Sequence, residues 1–261
     1  MKYIILFPFL ISLYSAQNYY ENGNKLYKEK KYDKAIELFT LAINTEDHVS
    51  DAYMLRGNCK AIINEEGAMS DLIISKELNP NNYLVYFYIG SEYLINGDVI
   101  NAKENLEKSI SINNKYALAV DFLSIAMMAS DNLQEALKLS ETAVRLDPNG
   151  EDFYLHRGVI KMKLGMLGDA IKDLEKDLGK GSDVNIYSNL AVCYYQMKDY
   201  DNTINFATKA LVIEPKLLDV LLFRASSYDK TGQTKLACND FQNAKGLGAN
   251  LSDEKINKIC E

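Results

Sequence analysis

From Tyr19 onward the chain alternates apolar stripes with short polar breaks. Tyr86, Ile89, Gly90 and Tyr93 fall at i, i+3, i+4 and i+7, the spacing of one helix face. Asn96-Gly97-Asp98 then interrupts the pattern, and Ala102, Leu106 and Ser109 form the stripe of a returning helix. The same two-stripe unit recurs. Small residues inside the second stripe run Ala35, Ala68, Ala102, Ala136, Ala170, Thr203, Ala237, in steps of 33, 34, 34, 34, 33 and 34. A second series upstream runs Gly23, Gly57, Gly90, Ser124, Gly158, Ala191, Ala225. Three of the four prolines, Pro80, Pro148 and Pro215, close second stripes at spacings of 68 and 67, two periods each. A fixed period of this length is the signature of a repeat architecture. The small residues let paired helices approach closely, and proline cannot donate the bond that would prolong a helix. The pattern predicts an all-α array of about seven helix pairs over residues 17–249.

Two units are irregular. Only eleven residues separate Gly57 from Ala68, which predicts a turn over Asn64 to Gly67 that is one residue short. Asp177 stands where the fifth unit should carry a small residue, and Gly179-Lys180-Gly181 ends that helix without proline. This is expected to be the weakest joint of the array.

The two ends differ from the rest. Residues 1–16 place Lys2 before an uncharged, mostly apolar run from Tyr3 to Tyr14, followed by Ser15-Ala16. That layout is expected of a cleaved signal peptide, since the run falls short of the roughly 20 apolar residues that span a bilayer. At the other end, Gly246-Leu247-Gly248 stops a helix. Ser252 with Asp253 and Glu254 then starts another, so a capping helix is expected over 250–261.

Composition narrows the function. The chain has 261 residues, 48% apolar and 25% charged, with net charge −7. That is a folded chain whose acidic balance speaks against nucleic acid. Its two histidines, His48 and His156, leave little for histidine catalysis or zinc. His48 is expected in a solvated linker, and His156 at the surface or in packing. With no Gly-rich phosphate loop, His-Glu-x-x-His or Cys-x-x-Cys present, no catalytic residue, cofactor or metal is expected. Cys59 and Cys193 sit four repeats apart, too far to bridge, and are expected to be buried small residues. Cys238 begins the second helix of repeat seven and Cys260 ends the capping helix. Consecutive antiparallel helices bring such ends side by side, so a disulfide between Cys238 and Cys260 is expected, with two unpaired thiols as the alternative.

The segments Tyr53…Arg56-Gly57…Asn79-Pro80, Tyr154…Arg157-Gly158…Ala170 and Tyr187…Tyr194…Ala210…Pro215 resemble the tetratricopeptide repeat family. The Ala237-Cys238-Asn239-Asp240-Phe241 stretch, with a later Leu-Gly and a terminal cysteine, resembles exported members from Gram-negative bacteria. The resemblance implies a right-handed superhelical solenoid whose first helices line a concave groove. By position, that groove would include Tyr20, Asn24, Tyr27, Met54 and Asn58, then Phe87, Ser91, Leu94 and Ile95. Ile125, Met128, Leu155, Val159, Met162, Val192 and Tyr195 would continue it. The same side chains could instead pack between neighbouring helices. The resulting expectation is a non-enzymatic scaffold, periplasmic or secreted and not membrane-spanning once the signal is removed. It would bind an extended or helical segment of a protein or peptide partner. The alternative is a small-molecule or lipid-binding envelope protein using the same groove.

Overall fold

The computed structural model describes residues 18–181, 183–252 and 260. The signal segment 1–16 lies outside them, as does most of the capping helix expected over 250–261. Fourteen α-helices and no strand occur among the described residues, matching the seven expected pairs. The chain divides into two units, one ending at Asn96 and the other beginning at Gly97. The first holds α1 (Tyr19–Lys28), α2 (Tyr32–Asn44), α3 (Val49–Ile62), α4 (Ala68–Leu78) and α5 (Tyr83–Ile95). The second holds α6 (Val99–Ile112), α7 (Ala117–Ala129), α8 (Leu133–Leu146), α9 (Phe153–Lys163) and α10 (Leu167–Asp177). It continues with α11 (Asp183–Gln196), α12 (Tyr200–Ile213), α13 (Leu218–Lys230) and α14 (Thr234–Gly246).

Most inter-helix turns share one mechanism. A residue enters the left-handed region after the first helix: Lys30, Asn64, Asp131, Gly165, Lys198 and Gly232 all have φ between 57° and 77°. The next amide then reaches back five residues, as in Lys31 N–H to Leu26 C=O (2.9 Å), Asn132 to Met127 (2.9 Å) and Asp199 to Tyr194 (2.9 Å). That bond satisfies an orphan carbonyl and fixes the direction in which the chain leaves the helix. Two second helices then start on an Asp-x-x-Asn cap: Asp98 accepts from the Asn101 amide and Asp199 from the Asn202 amide, each at 3.1 Å.

The small residues sit where helices approach most closely. A Cβ on Gly57 would lie 2.9 Å from the Ala68 carbonyl oxygen, and one on Gly158 would lie 3.2 Å from that of Ala170. Ala35, Ala102, Ala136, Ala170, Thr203 and Ala237 are wholly buried. In unit one Phe39, Leu72, Val85 and Ile89 fill the interior. In unit two the interior is a chain of smaller clusters, among them Leu155, Leu174, Ile186 and Leu190, then Leu211, Val220 and Leu221. Leu251 packs on the last of these and on Phe241.

One expectation is corrected. The turn of repeat two is longer than the others, not shorter: α3 ends at Ile62 and α4 begins only at Ala68. Elsewhere, as between α5's end at Ile95 and Val99, three residues suffice. With one residue missing, the segment before Ala68 cannot make its usual helical turn. Gly67 enters the helix at φ 86°, and α4 loses its first turn.

Candidate functional site

Within each unit the first helices of successive pairs touch. Helix α3 meets α1 and α5, while α9 meets α7 and α11, and α11 meets α13. Second helices do not meet one another to that extent. Elements that crowd together lie on the inner side of a bend, so in each unit the first helices form the inner face.

In unit one this face carries Tyr20, Asn24, Tyr27, Asn58, Ser91 and Leu94, all half-buried, and Ile95, which is 75% exposed. Met54 and Phe87 are buried between helices. The Asn58 side-chain amide donates to the Tyr27 hydroxyl at 2.6 Å, joining repeats one and two. Burial raises the Tyr27 phenol above its usual range, so it stays a protonated hydrogen-bonding group. The Tyr20 amide donates to Asp47 (2.9 Å), and its ring stacks on His48 at 4.7 Å. His48 is exposed, and its bond to Asp47 holds its pKa above 6.5.

In unit two Ile125, Met128, Val159, Met162, Val192 and Tyr195 are half-buried, and Leu155 is buried. Between α11 and α13 the face opens into a cavity of about 430 Å³, lined by Asn185, Asn189, Val192, Leu218, Asp219 and Phe223 among others. Tyr195 packs against Phe223 at 5.0 Å between ring centres. Val192 was legible as a lining residue; Phe223 and Leu218 were not. Phe223 occupies the register held in the four preceding repeats by Tyr88, Phe122, His156 and Asn189, a position without a constant residue type.

Charges on the first helices follow a rule that the sequence reading missed. Arg56 forks onto Asp71 at 2.8 and 2.7 Å, Arg157 onto Asp173 at 2.7 and 2.6 Å, and Arg224 onto Asp240 at 2.7 and 2.9 Å. Lys60 and Lys161 add a second cation to the first two pairs. The bond to Asp173 raises the Arg157 pKa further. These bidentate pairs tie first helix to second within a repeat and turn the cations away from the inner face. The signal was there: Arg and Asp recur 15 or 16 residues apart in repeats two, five and seven.

Asp177, noted only as a misplaced residue, is fully buried and accepts the Leu155 amide of α9 at 2.7 Å. It satisfies an N-terminal amide that the αL cap Asp152 does not bond. His156 is engaged too: its Nδ1 lies 2.7 Å from the buried carboxylate of Asp121.

Cys59 and Cys193 are buried free thiols, and burial raises their pKa to about 12 and about 11. Such thiols are poor nucleophiles at neutral pH. Cys238 and Cys260 are brought together, with Cα atoms 5.1 Å apart and the sulfurs in contact. Among the described residues no group of three or more His, Cys, Asp or Glu is arranged to hold a metal ion. None of the described helices is long and apolar enough to cross a membrane.

Residues 83–116 and 184–217 match the sequence model described as tetratricopeptide repeat. Among curated proteins, the chain is 30% identical over 139 residues to "Heat shock protein STI1" of Saccharomyces cerevisiae, covering 52% of this chain and 23% of that one. The chain therefore spans about a quarter of that relative's length. Among solved structures it is similar to a tetratricopeptide repeat protein from Parabacteroides merdae, with a TM-score of 0.63 at 13% identity over 93% of this chain and 96% of that one. YrrB, described as a TPR protein with an unusual peptide-binding site, has a TM-score of 0.56 at 14% identity, covering 69% and 93%. The fold is thus that of tetratricopeptide helix pairs, and two stretches of the chain carry the repeat's own sequence pattern.

Proposed function

We propose that the chain is a non-enzymatic scaffold that binds a segment of a partner protein on the inner face of its first helices. The observation that carries this reading is the cavity between α11 and α13. It opens on that face and combines an apolar floor of Val192, Leu218 and Phe223 with the amides of Asn185 and Asn189. Apolar side chains of a segment would fill the floor while the amides bond its backbone, a division of labour common in peptide recognition. Helices already held by their neighbours lose little entropy on binding, which favours a preformed groove over a loop. The peptide-binding relative YrrB is consistent with such a role. With Arg224 held on Asp240 and away from the inner face, Asp219 is the charged group at the cavity, so a neutral or basic segment suits it better than an acidic one. Met128→Asp, on a half-buried inner-face residue of α7, should weaken partner binding at least tenfold while leaving helicity and melting nearly unchanged. Loss of folding would mean that this side chain only packs. A lipid found in mass spectrometry of the purified protein, with no polypeptide partner, would favour the small-molecule alternative.

We propose further that the chain is exported, losing residues 1–16, and that Cys238 and Cys260 form a disulfide in that oxidising setting. The layout of Lys2 to Ala16 and the 5.1 Å Cα separation support this. An intact N-terminus on protein extracted from the native cell would contradict it, as would two alkylatable thiols beyond Cys59 and Cys193.

A further inference from the structure

In unit two the N-terminus of α9 is ringed by acids. Asp121 comes from α7, Asp152 is the cap of α9 itself, and Asp177 ends α10. The Asp121 side chain is 1% exposed, and its Oδ2 meets His156 Nδ1 at 2.7 Å. Its Oδ1 is buried without a hydrogen-bond partner. Asp177 is wholly buried and shared between the Leu155 amide and Lys180, at 2.7 and 2.9 Å. Lys180 is thus committed to Asp177, and His156 alone answers the charge of Asp121. The residues aligned with Asp121 in neighbouring repeats, Phe87 and Leu155, are buried and apolar. A buried His–Asp hydrogen bond therefore replaces ordinary packing at this joint.

A buried carboxylate with one empty oxygen is costly unless its partner is charged. We propose that His156 and Asp121 form a proton-operated latch between α7 and α9, closed when His156 is protonated and loosened when it is neutral. In the closed state an imidazolium compensates Asp121 and faces Asp152 and Asp177 favourably. Loss of the proton leaves Asp121 with one neutral N–H donor beside two further carboxylates, while Lys180 stays on Asp177 and Lys176 of α10 lies over the Tyr154 ring at 4.6 Å.

The direction of the pH effect follows. His156 is pulled down by burial, but its bond to Asp121 and the charges of Asp121, Asp152 and Asp177 outweigh this, so its pKa is raised above 6.5. Asp121 is also raised, chiefly by burial. Both groups hold protons more tightly in the closed joint than in an open chain. The contribution of His156 to the joint's stability is therefore complete below 6.5 and is lost as pH rises from there through its folded pKa, while the shift on Asp121 acts at lower pH, above 3.8. Acidification from neutral pH keeps the latch shut.

The test is native-state amide exchange of α9 between pH 6 and pH 9, corrected for intrinsic exchange. The opening constant of α9 should rise by up to tenfold per pH unit between 6.5 and the raised pKa of His156 in the closed joint, the limit for one proton, and level off above it. Amides of α13 in the same unit serve as the reference and should not follow. In H156Q the pH dependence of α9 should vanish. Equal pH dependence in H156Q, or flat α9 protection in the native protein, would overturn the latch. Should H156Q fail to fold, the imidazole titration of the native protein decides. Only His48 and His156 contribute ring signals, and H48Q assigns them. A His156 midpoint at or below 6.5 would overturn the proposal.

Discussion

A few side chains fix how closely each helix pair can pack. Gly57 faces the Ala68 carbonyl oxygen, where an added Cβ would come within 2.9 Å of backbone. In an exposed helix Gly→Ala gains about 1 kcal/mol of propensity. Here the methyl would force α3 from α4, costing about 1–3 kcal/mol, so the steric term wins. Gly57→Ala should lower the midpoint of chemical denaturation. The arginine pairs make an asymmetric prediction. Asp173 holds both Arg157 and Lys161. Asp173→Asn strands two mostly buried cations and should cost about 3 kcal/mol, whereas Arg157→Met leaves Lys161 on the carboxylate and should cost clearly less. Equal losses in urea denaturation would show that the aspartate is not the hub. These pairs were legible only in hindsight. Single charges on a helix look solvated, and only their recurrence at a fixed offset marks them as partners.

At the scale of the element, most helices were legible because period, breakers and caps agreed. Asn96-Gly97-Asp98 ends α5 and starts α6 where the pattern broke. Repeat two was misjudged for a physical reason. Deleting a residue between helices does not shorten the turn, because the turn geometry is fixed and the helix yields instead, giving up its first turn before Ala68. Asp177 was recognised as out of place, but its task was invisible because its partner is a backbone amide 22 residues away. Asp177→Ala should leave the Leu155 amide unsatisfied and cost about 1–2 kcal/mol, as loss of a helix cap does. Amide exchange should show the loss first in the opening turn of α9 and little change in α13.

At the scale of the whole chain, repeat count and helical class were plain in the periodicity, while the binding face was only partly so. Register alone put Met54, Phe87, Leu155, Val192 and Tyr195 on one footing, yet the first three are buried and the last two border open space or its aromatic wall. The difference depends on the size of the residue opposite in the next repeat, which one repeat's pattern does not contain. The C-terminal end offers a further check. A Cys238–Cys260 bridge separated by 22 residues should contribute on the order of 3 kcal/mol to holding the last helix. Reduction should raise exchange in α14 and leave α7 to α10 unchanged, since stacked repeats transmit stability mainly to neighbours. Uniform loosening of unit two would argue for a more global role.

The most direct test of the central claim places a photo-crosslinking residue at Val192, on the inner face beside the cavity, and at Val212, which is 77% exposed on the second helix α12. In the native host, irradiation should trap a discrete polypeptide from position 192 and none from position 212. Cross-links from position 212 but not 192, or from neither while the protein is folded and abundant, would contradict binding by the first-helix face.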